Sequence, residues 1–236
     1  ALILIAVFLI TAAGNAINDY FDVEIDAINK PNRPIPSGKI NRTHALYFSI
    51  VLFIIGTIIA FYIHIICGLI ALFNSILLIY YGKTLKQKAL IGNIAVGYLT
   101  GATVLFGGAV FGIKGMEVLI VLFLLVMLAT IAREIVKDIE DIKGDEKQGL
   151  KTLPIKIGVK KSANLAALIT SIAIVISPIP FLTSMMSIEY LIFILFVNIC
   201  FIFAIYEIVL KNNPAKSSLI FKIAFVFALL SFVAGI

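Results

Sequence analysis

Asn15, Asp19, Asp22 and Asp26 form a row spaced by four, three and four residues, and Glu134, Asp138, Asp141 and Asp145 repeat it 119 positions later. At about 100° per residue, these spacings place each row within a ~60° arc of one helix face. Carboxylates three or four residues apart on a helix repel one another, so each row asks for a cation. Mg²⁺ suits such a row. It takes hard oxygen ligands, keeps some waters and is often completed by substrate phosphate. Two such rows facing each other would hold about two Mg²⁺ ions across a diphosphate. Three other readings compete: a solvated helix end, a calcium loop, and a divalent-cation transporter. The calcium reading lacks the central Gly and terminal Glu of an EF-hand. A transporter would place its charges near the bilayer midplane rather than at the ends of apolar segments.

The elements that must position these rows are membrane helices. Apolar residues make up 61% of the chain and charged residues 14%, with a mean hydropathy of +1.12. That balance excludes a soluble domain. Apolar segments run at roughly 1–17, 44–63, 65–82, 91–112, 117–136, 162–180, 188–210 and 217–236. Most approach the ~20 residues that cross a ~30 Å hydrocarbon core as a helix. Eight spans are visible, the first shortened. The chain opens on Ala1 with no basic stretch before its apolar start, which argues against a signal peptide and for a missing first helix.

If the spans alternate, one side receives loops at about 18–43, 83–90, 137–161 and 211–216. Those loops hold Lys30, Arg33, Lys39, Arg42, Lys83, Lys86, Lys88, Lys151, Lys156 and further lysines, whereas Lys114 lies on the other side. Basic loops remain cytoplasmic, so both acidic rows should face the cytoplasm at the cell membrane. Contact with anionic membrane lipids accounts for the net charge of +6 without a nucleic-acid partner. Cys67 and Cys200 fall inside spans without metal-ligand spacing and read as apolar core residues. His44, His64, Glu189 and Glu207 lie at span ends and read as interfacial. Asn74, mid-span, reads as an interhelical hydrogen bond.

The repeat predicts one all-α membrane domain over 1–236, with pseudo-repeat halves of about 1–112 and 117–236. In each half a span ends in an acidic row and is followed by a basic, proline-containing loop, Lys30–Gly38 and Gly149–Gly158.

These residues resemble the UbiA superfamily of intramembrane prenyltransferases. The first motif of that family, N-D-x-x-D-x-x-x-D, matches Asn18 to Asp26, and its continuation N-x-P-x-R-P-I-P-S-G matches Asn29 to Gly38. The second, D-x-x-D-x-x-x-D, matches Asp138, Asp141 and Asp145, followed by T-L-P-x-x-x-G at Thr152 to Gly158. The Y-S-x-x-L-K element looks like Tyr81 to Lys86, with Gly82 where the family has Ser. The stretch Ala132 to Asp141 looks closest to the archaeal ether-lipid branch, and chlorophyll synthases share the R-P-I-P-S-G loop. The family fold is a bundle of nine transmembrane helices with active-site loops on the cytoplasmic side, of which eight are visible here.

The resemblance implies an enzyme that transfers a prenyl group from a prenyl diphosphate to a lipid acceptor, with Mg²⁺ as cofactor. In the archaeal reading, a geranylgeranyl group passes from its diphosphate to the hydroxyl of geranylgeranylglyceryl phosphate. The alternative acceptor is an aromatic quinone precursor or a chlorin. Asp22, Asp26, Asp141 and Asp145 are the catalytic candidates and first-choice metal ligands, assisted by Asn18 and Asp138. Arg33, Lys83, Lys86 and Tyr81 are expected at the diphosphate. Asn15, Asp19 and Asn93 are further candidates, Asp19 as a residue that orients its neighbours.

Overall fold

The structure, a computed structural model, describes residues 1–147 and 149–235. The side chain of Asn29, which opens the continuation of the first motif, lies outside the described residues. The helices among the described residues are α1 (Leu2–Phe21), α2 (Val23–Asn29), α3 (Arg42–Ile63), α4 (Ile65–Lys83), α5 (Ile91–Ala109), α6 (Gly112–Lys147), α7 (Leu153–Ile157), α8 (Val159–Ile176), α9 (Ile179–Leu182), α10 (Ile188–Val209) and α11 (Pro214–Ala234). Eight helical stretches among the described residues are long and apolar enough to cross a membrane, α8 and α9 forming one of them. Their outward faces carry large apolar side chains such as Leu4, Phe8, Ile58, Val175 and Val233. Such faces suit hydrocarbon, where burying apolar surface away from water gives helices no reason to associate.

The chain falls into two compact units. The first comprises Ala1–Lys86 and Ala102–Glu117, and the second comprises Gln87–Gly101 and the chain from Val118 onward. In the first unit α1 packs along α3 through a stripe of Ala6, Ile10, Ala13 and Ile17. A Cβ on Gly56 of α3 would come within 2.8 Å of Ile10, so glycine permits that approach. The α3–α4 hairpin turns at His64, whose Nδ1 accepts from the Ile66 amide and so caps α4. This gives His64 the helix-end position its place in the sequence suggested, and a structural task with it.

In the second unit α8 offers Ser162, Ala163, Ala166, Thr170 and Ala173 as a small-residue face, and α10 packs against it. The α10–α11 hairpin is tied by Lys216 Nζ donating to Glu207 at 2.6 Å. Glu207 is buried, so the interfacial reading of that residue is corrected: its charge is compensated inside the hairpin. Asn74 also departs from expectation. Its buried Oδ1 has no donor among the described residues. Cys67 is buried as expected, and Cys200 is partly exposed.

Candidate active site

The first acidic row is built where α1 stops. The Asp22 amide donates to the Asn18 carbonyl at 2.9 Å, but Asp22 itself leaves helical geometry, and α2 begins one residue later. One continuous helix was expected here, and the break corrects it. The helical register nevertheless survives, because Asp26 donates to the Asp22 carbonyl and Lys30 to that of Asp26. The row keeps its spacing across a bend.

Protein cations occupy this row. A single Arg33 nitrogen, Nη1, donates to Asp19 Oδ1 at 2.9 Å and to Asp26 Oδ2 at 2.6 Å. The loop that carries Arg33 leaves α2 through Pro31 and turns back through the amides of Arg33, Ser37 and Gly38, which brings the guanidinium over the helix it has just left. Asp26 is buried, and an unpaired carboxylate there would be costly. Lys86 forms an ion pair with Asp22. It sits on the short 3-10 turn Leu85–Gln87 that follows α4, and burial pulls its ammonium below the ordinary lysine range. Arg42, at the start of α3, donates from Nε to the Tyr20 carbonyl at 3.2 Å and lies over the Tyr20 ring, which pins the end of α1.

Asn18 supplies an unpartnered group. Its Oδ1 is buried and receives no donor among the described residues. A Cβ on Gly82 would stand 2.5 Å from that oxygen and 3.1 Å from Phe21, so the side-chain-free residue at 82 is what lets Asn18 occupy this place. An orphaned amide oxygen on the helix that carries the first acidic row fits a hard divalent cation. Asn15, one turn earlier on α1, is exposed. Tyr81 is partly exposed near the end of α4, and Lys83, at its last position, is exposed.

The second row stands on a different scaffold. α6 runs unbroken for 36 residues, about 54 Å at 1.5 Å per residue. Its last turns therefore project well past a ~30 Å core, carrying the row beyond the apolar part. Lys137, Lys143 and Lys147, expected in a loop, lie on this helix. Asn93 Nδ2, near the start of α5, donates to Asp138 Oδ2 at 2.9 Å. Gly97, one turn further along α5, makes that reach achievable: a Cβ there would come within 2.5 Å of Ile131 and 2.8 Å of the Met127 carbonyl. Thr152, at the N-terminal boundary of α7, has its hydroxyl buried near Asp145 but without a hydrogen-bond partner among the described residues. Asp141 is exposed, and Glu134 pairs with its neighbour Arg133.

The structure thus gathers Asn18, Asp19, Asp22, Asp26, Arg33 and Lys86 in the first unit, and Asn93, Asp138, Asp145 and Thr152 in the second. Within either unit, no three described His, Cys, Asp or Glu side chains already surround a common point. Sequence reasoning gave Thr152 no role. Its place at the head of the T-L-P element, where a helix boundary leaves a hydroxyl beside the row, was the available signal.

A multi-pass, all-helical membrane protein with acid-rich rows at its helix ends is the class this fold and geometry define. The chain belongs to the UbiA prenyltransferase family, whose model matches residues 1–230. It is 56% identical over 235 residues to the digeranylgeranylglyceryl phosphate synthase of Methanosarcina barkeri, covering 100% of this chain and 81% of that protein. A solved structure concerned with digeranylgeranylglyceryl phosphate synthase in membranes superposes with a TM-score of 0.88 at 42% identity, covering 99% of this chain and 84% of that one. A UbiA homolog from Archaeoglobus fulgidus, bound to DMAPP and Mg²⁺, shares the fold with a TM-score of 0.74 at 18% identity, over 98% of this chain and 86% of that one.

Proposed function

We propose that this chain transfers a geranylgeranyl group from geranylgeranyl diphosphate to the hydroxyl of geranylgeranylglyceryl phosphate, at the cytoplasmic face of the membrane. The observation that carries this reading is the first acidic row, whose three carboxylates pair with Arg33 and Lys86 and whose helix also carries the orphaned amide oxygen of Asn18. Oxygen ligands for a hard cation and two donors for phosphate therefore lie in one place. Full-length likeness to synthases of digeranylgeranylglyceryl phosphate supports the choice of acceptor. Basic residues crowded into the loops on the acidic rows' side support the cytoplasmic orientation.

In this reading Asn18, Asp22 and Asp26, with Asp138, Asp141 and Asp145, would hold Mg²⁺, which supplies charge neutralisation for a departing diphosphate. Arg33 and Lys86 neutralise the first row in the structure. When a diphosphate enters, its oxygens give both cations a second set of acceptors. Arg33 turns toward them as a planar fork and Lys86 as a point charge. Asp19 retains Arg33 within reach, so its task is to position the guanidinium. Lys83 and Tyr81 complete the approach to the diphosphate from the end of α4.

The bond between the allylic carbon and the diphosphate oxygen breaks, and the diphosphate leaves with the electron pair. The acceptor oxygen forms the new ether bond and its proton passes to the departed diphosphate. Apolar walls keep water from the allylic cation, and aromatic faces stabilise its charge. The test is incubation of purified protein with geranylgeranyl diphosphate and a panel of acceptors: geranylgeranylglyceryl phosphate, an aromatic quinone precursor and a chlorin. Mass spectrometry should find the doubly alkylated lipid from the first alone. Product from another acceptor, or divalent-cation flux in liposomes without diphosphate consumption, would overturn the reading.

A further inference from the structure

Lys88 and Lys151 lie side by side, joined by a parallel backbone bridge between the segment that precedes α5 and the segment that precedes α7. Both belong to the second unit. Residues paired in this way project their side chains on the same face, and like charges placed opposite one another are destabilising. Both lysines are exposed, and neither has an acidic ion-pair partner among the described residues. The backbone close to the bridge is strained. Leu90, two residues after Lys88, has φ of 60°, a left-handed conformation that disfavours a branched side chain.

Each side of the bridge leads to the second acidic row, and one side is hydrogen-bonded to it. Five positions after Lys88, Asn93 donates to Asp138. Immediately after Lys151, Thr152 places its buried, unpartnered hydroxyl near Asp145. Two exposed lysines thus start from paired backbone near a row of carboxylates with which neither forms an ion pair among the described residues. Adjacent ammoniums of this kind suit one small, doubly charged anion with several acceptor oxygens.

We infer that Lys88 and Lys151 anchor a phosphomonoester, namely the phosphate of the glyceryl phosphate acceptor. This inference rests on the function proposed above and deepens it. A phosphate anchored here fixes one end of the short glycerol unit, so the acceptor hydroxyl is presented from the second row. It also gives the enzyme a physical basis for preferring a phosphorylated acceptor, because an uncharged glycerol lipid would leave two like charges facing each other uncompensated.

The test uses the full chain in lipid nanodiscs, with Lys88→Gln, Lys151→Gln and the double variant. Geranylgeranylglyceryl phosphate is compared with its dephosphorylated glycerol lipid. Each single variant should raise KM for the phosphorylated acceptor about tenfold, the scale of one charge-assisted contact. KM for geranylgeranyl diphosphate and kcat at saturation should stay unchanged. The double variant should lose the wild-type preference for the phosphorylated lipid, and Lys88→Arg with Lys151→Arg should restore it. Unchanged acceptor KM overturns the inference, as does a parallel rise for donor and acceptor or a failure of arginine to rescue. Variant activity that follows the anionic-lipid content of the nanodisc, with acceptor KM unaltered, assigns the pair to a lipid headgroup and also overturns it. Equilibrium binding of geranylgeranylglyceryl phosphate separates this inference from the proposed reaction. A wild-type protein that yields no product, yet binds this lipid more tightly than the double variant does, refutes the reaction while upholding the phosphate anchor.

Discussion

The two acidic rows share one spacing and differ in almost everything that surrounds it. The first crosses a break at Asp22 and is neutralised by Arg33 and Lys86, both reaching in from loops. The second rides a single uninterrupted helix, where Glu134 pairs with its neighbour Arg133 and Asp138 accepts from the neutral Asn93. Identical spacing therefore does not mean identical electrostatics. A row carrying its own cations resists a metal until something else accepts those cations. The three aspartates of the second row have no resident cation among the described residues to release first. On the function proposed above, the first row would take up metal only as diphosphate draws its cations away, whereas the aspartates of the second would be open to metal from the start.

The most severe way to break this comparison is to remove one carboxylate from each row. Asp22→Ala and Asp141→Ala should each reduce kcat/KM by on the order of a hundredfold or more, the scale seen when one preorganised charge-stabilising group is lost. Full turnover in either variant would show that its row takes no part. Steady-state assays with geranylgeranyl diphosphate decide this.

Metal binding without turnover sharpens the contrast next. In the absence of pyrophosphate, Arg33→Gln and Lys86→Met should each bind Mn²⁺ about tenfold more tightly than wild type, since the resident cation no longer competes. Adding pyrophosphate should tighten binding in wild type and much less in the variants. Electron paramagnetic resonance titration reads both. Tight wild-type binding that is indifferent to pyrophosphate would refute the counterion role.

Stability gives a smaller contrast. Arg33→Gln leaves the buried Asp26 without its partner. Discounted for the partial exposure of Arg33, the cost should be about 2 kcal/mol. Asp26→Asn in the same chain should recover most of it. Asn93→Ala removes one donor from Asp138 and should cost about 1 kcal/mol. Denaturant unfolding in detergent measures both.

The smallest effect concerns pH. Burial lowers the Lys86 pKa, so between that lowered value and the ordinary lysine value the unfolded chain binds more protons than the folded one. Stability should rise with pH across this window, while the charge available to a diphosphate is lost. The alkaline limb of activity should therefore begin below the ordinary lysine range. Lys86→Arg should move it upward. A limb that is the same in both proteins would remove Lys86 from the diphosphate site.

Much of this was legible in the residues themselves. Eight apolar segments became eight membrane-crossing stretches, because a helix that must satisfy every backbone group inside hydrocarbon leaves its length in the composition. The two rows were legible because helical spacing survives even the bend at Asp22. Glu207 was misread because nothing in its span announces Lys216 across a hairpin. Asn74 was misread because a polar residue in a span signals a need for a partner without supplying one.

By sequence alone, this protein is determined to cross the membrane repeatedly, to carry acids in two matched rows, and to place basic loops beside them. These follow from local periodicity and from the cost of charge in lipid. Only the tertiary structure decided that Arg33 bridges Asp19 and Asp26, that Lys86 reaches Asp22, that Asn93 serves Asp138, and that Lys88 stands against Lys151. Each of those pairings closes a loop or joins two helices. Their geometry depends on turns and on close approaches at Gly82 and Gly97, which no spacing within one segment encodes.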